Sequence, residues 1–150
     1  SLNLSPKISI LRVPIHHQGE DNVLENTDLG KLLVRLTVGG LLLFHGIAKL
    51  FNGLGFIEGL LASHGLPTEL AWGVYIGEIV APLMVILGYQ TRIGAVLIVI
   101  NMIVAIVLAH TNELLALSRS GGLALELQLF FLLNAAAVIF LGPGKYKLKN

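Results

Sequence analysis

Cysteine is absent from the chain, which excludes a disulfide framework, thiol chemistry and any cysteine-held cluster, so electrons handled here must arrive on another carrier. Charge is nearly as scarce. Asp, Glu, Lys and Arg make up 13% of the 150 residues, about half the fraction usual in soluble domains. The net charge of +1 comes without a concentrated basic surface, which argues against nucleic acid as a partner. An n-region, a short apolar stretch and a small-residue cleavage site do not occur together near the start, so no cleavable leader is expected. What is abundant is apolar side chain, at 55% of residues. That composition indicates a membrane protein, short enough that the membrane part forms one domain with no separate soluble catalytic core.

A span of the hydrocarbon core takes about 20 predominantly apolar residues. Four runs qualify: 29–51, 69–88, 91–110 and 123–142. The expected fold is therefore all-α, an integral four-helix membrane bundle over residues 29–150 preceded by a polar extension, residues 1–28. Thr27 or Asp28 is placed to cap the first helix, Pro67 and Thr68 open the second, and Gly88 and Gly142 close the second and fourth. Pro82 lies inside the second run and should kink it, because it has no N–H to give one turn back. "GYQTR" forms a tight link between the second and third helices. The other two connections, "NGLGFIEGLLASHGLP" and "TNELLALSRSGG", are semi-apolar. They read either as short amphipathic segments lying in the bilayer interface or as ordinary loops with scattered leucines.

Basic residues orient the bundle. With the amino terminus in the cytoplasm, Lys7, Arg12, Lys31, Arg92, Lys145, Lys147 and Lys149 fall on the cytoplasmic side and only Lys49 and Arg119 on the other. Both termini are then inside, and Lys145, Lys147 and Lys149 act as topology anchors. Each half also runs basic residue, apolar helix, terminal histidine, connection and a helix bearing one carboxylate. Arg35, His45 and Glu78 occupy those places in the first half, and Arg92, His110 and Glu126 in the second. This pattern suggests a parallel repeat about an axis normal to the membrane, although unequal spacings leave coincidence as the alternative.

A charge at a helix centre costs about 2.5–3.5 kcal/mol on insertion scales. The candidates for functional polar groups are accordingly Arg35, His45, Lys49, Glu78, Asn101, His110 and Glu126. At 100° per residue, Arg35, His45 and Lys49 share one stripe of the first helix, and the polar groups of all four helices are expected to converge on one pocket. There, two cations face two carboxylates, Glu78 and Glu126. The alternative is purely structural: ion pairs that fix helix register, Lys49 snorkelling to the surface, and His110 at an ordinary helix end. Gly73 and Gly77 form a close-packing pattern, and Trp72 and Tyr75 read as an aromatic belt. No Glu-x-x-His or comparable ligand spacing occurs, so no metal site is expected. The adjacent His16 and His17 read as part of a solvated loop.

Several stretches in order resemble the DoxX family of small four-helix bacterial membrane proteins: an early arginine in the first helix, "HGIAKL", "HGLP", "GEI" with its glutamate, "LGYQTRIGA" and the closing "GPGKYKL". The resemblance covers residues 30 to 148 and picks out Arg35, His45, Lys49, Glu78 and Arg92. It implies a multi-pass protein of the bacterial plasma membrane that serves membrane redox systems, quinone reduction among them, beside other protein subunits or further copies of itself. The polar extension lies outside that core and is free to dock a partner. Three functions follow as expectations: a quinone-handling subunit whose electrons come from a partner, a non-enzymatic membrane scaffold, or a small transporter or proton pathway.

Overall fold

A computed structural model describes residues 25–109, 112 and 114–148. The polar extension up to residue 24, His110 and Lys149 therefore lie outside the described residues, as do the readings that rest on them. Within them the fold is helical, with one isolated β-bridge.

Helix α1, Thr27–Asn52, is capped by the residue before those expected. The Asn26 side chain accepts from the Leu29 N–H at 3.0 Å, satisfying one donor orphaned by the helix start. Asp28 accepts instead from the Lys145 N–H at 3.1 Å. Gly53, at φ 82°, turns the chain out of the helix. The first connection then forms a short helix, α2, Gly55–Ser63.

Helix α3, Thr68–Leu87, changes its winding along its length. A tight 3₁₀ stretch, Thr68–Trp72, passes through one α turn into a wide π stretch, Ile76–Val80, and then into regular α-helix, Ala81–Leu87. Pro82 accounts for the disturbance. It cannot donate to the Glu78 carbonyl and its ring crowds that oxygen, so the turn just before it widens. Left-handed Gly88 ends α3, and α4 follows as Thr91–Ala109.

Helix α5, Glu126–Leu141, is 16 residues long, shorter than the expected 123–142. Leu123 instead pairs with Leu117 in an antiparallel bridge, closed by Ser118 N–H donating to the Gly122 carbonyl at 2.7 Å. The "SRSGG" stretch supplies the turn residues, Gly121 at φ 91° among them. Among the described residues of the second connection, Leu114, Leu115 and Leu117 thus belong to a turn and a bridge.

Helices α1, α3, α4 and α5 pack as a closed ring, each on its chain neighbour and α5 back on α1. Val38, Leu42, Ala81, Val85, Ile98, Phe131 and Val138 fill its centre. Three helices are long and apolar enough to cross a membrane, and α5 joins them as a shorter apolar helix. This is a four-helix membrane bundle. Lipid-facing surfaces remain apolar, so glycines at the contacts, by allowing backbones close together, supply much of the packing. A Cβ at Gly39 would press on Ile86 and the Pro82 carbonyl, and one at Gly94 on Met84 and the Ala81 carbonyl.

Two arginines repeat one device at the end of the bundle near the chain's carboxyl-terminal tail. Arg35 Nε donates to the Val85 carbonyl at 2.9 Å, and Arg92 Nε to the Ile139 carbonyl at 3.0 Å. Each acceptor stands three residues before the glycine that ends its helix, Gly88 or Gly142. An arginine from the first helix of each half thus caps the second. The carboxylates do not obey the same relation, since Glu78 precedes its glycine by ten residues and Glu126 by sixteen.

Candidate functional site: an ion pair in an apolar crevice

The wide turn of α3 presents Glu78 towards α1 and α4. Its carboxylate is 8% exposed and forms a salt bridge with Lys49 of α1, whose side chain is 28% exposed. The second carboxylate oxygen accepts from the Asn101 side-chain amide of α4 at 3.4 Å. Three helices therefore meet through three polar side chains. At 1.5 Å per residue, Glu78 and Asn101 each lie roughly 15 Å from the start of α3 and α4, near mid-bilayer.

Glycines make that meeting sterically feasible. A Cβ at Gly46 would collide with the Glu78 carbonyl, and one at Gly77 with the Asn101 side chain. Gly77 is thus a contact glycine as expected of the Gly73–Gly77 pattern, whereas a Cβ at Gly73 would meet nothing within 4 Å. Tyr75, one turn before Glu78, donates its hydroxyl to the Lys49 carbonyl at 3.3 Å and packs edge-on against Trp72 with 5.6 Å between centroids. It braces α1 against α3.

Lys49, Glu78 and Asn101 are the main polar members of a crevice of about 710 Å³, whose other walls are chiefly aliphatic side chains of α2, α3 and α4, such as Leu60, Val74, Leu97 and Leu108. Removing one partner would leave the other uncompensated, at a cost of about 3–5 kcal/mol. The arrangement can offer an ammonium and an amide as donors and a carboxylate as proton carrier to a polar group seated among apolar walls.

Of the other residues expected at this pocket, those that are described lie elsewhere. Arg35 is buried at the tail end of the bundle, where Nε and Nη2 donate to the Val85 and Ile86 carbonyls, each at 2.9 Å, and Nη1 to those of Pro143 and Tyr146. It fastens the tail to the end of α3. His45 is exposed on the α5 side of α1, its Nδ1 donating to the Leu41 carbonyl at 3.0 Å and its ring edge-on to Phe131. Glu126 opens α5 and is exposed, a favourable place for a carboxylate at a helix start. Lys145 and Lys147 are exposed on the tail. The convergence expected of all these groups is therefore confined, among the described residues, to Lys49, Glu78 and Asn101. Among those residues no cluster of three or more histidines or acids suited to a metal occurs.

Sequence reasoning did not assign a role here to Gly46, to Tyr75's hydroxyl or to the α2 leucines. For Gly46 and Tyr75 a signal existed: each lies one turn of helix from a charged member of the site.

Fold and site together define a small multi-pass helical membrane protein with an ion pair held between its helices. The sequence model of the DoxX family matches residues 30–111, more than half of the chain, and the chain belongs to that family. Over 80 residues it is 32% identical to a protein of Bacillus subtilis (strain 168) named "Putative oxidoreductase CatD". That stretch covers 53% of this chain and 59% of that relative, so the likeness spans less than two thirds of the relative's length. No solved structure matches.

Proposed function

We propose that the chain is the membrane subunit of a redox system in which Lys49, Glu78 and Asn101 receive the head group of a lipid-soluble quinone. The observation that carries this reading is a buried carboxylate, Glu78, joined to Lys49 and Asn101 in a crevice otherwise lined by apolar side chains. A volume of about 710 Å³ falls within the range of small-molecule sites, roughly 300–1,000 Å³. The oxidoreductase name of the Bacillus subtilis relative points the same way. Lys49 and Asn101 donate to the ring oxygens, and Glu78 carries a proton between the crevice and its surroundings. Reduction of a quinone to its quinol takes two electrons and two protons, and the electrons come from a redox-active partner subunit, because this chain has no cofactor motif.

The same reading places the protein in the bacterial plasma membrane with both termini in the cytoplasm, following Lys31, Arg92, Lys145 and Lys147, and gives the polar extension of residues 1–28 to partner docking. The test is quinone-linked turnover of the assembled native complex. Glu78→Gln is expected to abolish it while the subunit still inserts and assembles; unchanged turnover defeats the proposal.

A further inference from the structure

The crevice has one side with no protein wall. Ile76 of α3 and Ile100, Ile103, Val104 and Val107 of α4 line it and are also exposed on the outer surface of the bundle. The four α4 residues follow the i, i+3, i+4, i+7 rule and so form one stripe of that helix, turned away from the helix core. At this depth the medium outside the stripe is hydrocarbon. Over the end of the crevice that faces water lies α2, pinned there because Leu54 and Leu61 are buried with Ala71 of α3, against Tyr75 and Leu108.

Access from water would therefore mean displacing a packed helix and descending roughly 15 Å to Glu78. Access from lipid needs neither. Resting on the quinone reading of the site, we infer that the substrate is a long-tailed amphiphile that enters sideways from the bilayer between α3 and α4, its ring seated on Lys49, Glu78 and Asn101 and its tail leaving across the Ile100–Val104 stripe into lipid. A tail lying over that stripe replaces lipid by lipid-like contact and adds little affinity of its own. It does require an open passage. A side chain that closes the passage must exclude tailed ligands while a bare ring still fits inside.

The experiment uses the purified full chain in lipid nanodiscs and quenching of Trp72, the chain's one tryptophan, which sits between the lining residues Leu70 and Gly73. The probes are a dimethoxy-methyl-benzoquinone without a tail and the same ring carrying a decyl chain. Ile100→Phe combined with Val104→Phe is compared with wild type for each probe, so that membrane partitioning cancels; Leu133→Phe, on the exposed face of α5, controls for a lipid-facing aromatic, and circular dichroism checks folding. The inference expects decyl-quinone affinity to fall at least tenfold in the double variant, tail-free affinity to change less than twofold, and the control to change neither. Equal loss for both probes, or no loss for either, overturns the sideways passage while leaving the quinone reading in place. Absence of saturable quenching by either probe in wild type overturns the quinone reading itself and this inference with it.

Discussion

Replacing Arg35 by methionine keeps an unbranched stem of similar bulk and removes every donor, so it isolates the guanidinium's contribution. Two opposing terms decide the outcome. Burying a guanidinium costs several kcal/mol of lost hydration, a cost that methionine avoids. Against it stand hydrogen bonds to the carbonyls of Val85, Ile86, Pro143 and Tyr146, each worth about 1.5–3 kcal/mol when the donor is charged. With the donors gone, the Val85 and Ile86 carbonyls at the end of α3 have lost their cap, and the tail carbonyls regain partners only if the tail peels away. We therefore expect the bonds to win and Arg35→Met to destabilise the bundle by about 3–4 kcal/mol, a few hundredfold in the folding equilibrium. Arg35→Lys should lose about half as much, since one ammonium cannot span four acceptors on two segments. The measurements are equilibrium unfolding in mixed micelles with rising dodecyl sulfate, and the rate of tryptic cleavage at Lys145 and Lys147, which should rise as the tail is freed. A methionine variant within about 0.5 kcal/mol of wild type, with unchanged cleavage, would mean that desolvation cancels the bonds and that the clasp adds no stability.

Arg92→Met should cost less than half as much as Arg35→Met in the same assay, because Arg92 is exposed and its one described bond goes to the Ile139 carbonyl; equal costs would contradict the burial argument. Gly46→Val places side-chain atoms against the Glu78 carbonyl, and overpacking of this kind costs about 1–3 kcal/mol. Its loss of stability should be accompanied by loss of quinone quenching, and a variant that binds normally would show that α1 need not approach α3 so closely. Lys49→Met leaves Glu78 without its counter-charge and should abolish quinone-linked turnover of the assembled complex without preventing insertion; normal turnover would remove the lysine from the site.

The three longer helices were legible because each is a run of apolar side chains long enough to cross the bilayer, a signal that depends only on composition and length. The fourth was legible as a run but not in its bounds. Leu123 and Leu125 are as apolar as the residues that follow, yet the glycines and serines before them form a turn, and the bridge at Leu123 delays the helix to Glu126. In the site, the helical wheel groups Arg35, His45 and Lys49 in one stripe of α1 but carries no depth. Arg35 and Lys49 differ by only about 40° in azimuth while standing roughly 21 Å apart along the axis, and so serve opposite ends of the bundle. His45, only slightly rotated, faces α5 rather than α3. The pairing of Lys49 with Glu78 depends on the contacts of Gly46 and Gly77 and on the wide turn before Pro82. Periodicity cannot register these, because they are distances between helices.

At 1.5 Å per residue, α5 reaches roughly 24 Å, against about 30 Å for the hydrocarbon it traverses. Lipids beside it must shorten or tilt to keep its ends wetted, at a fraction of a kcal/mol for each ångström of mismatch. The molecule thus carries a thin flank and a full-thickness flank around one perimeter.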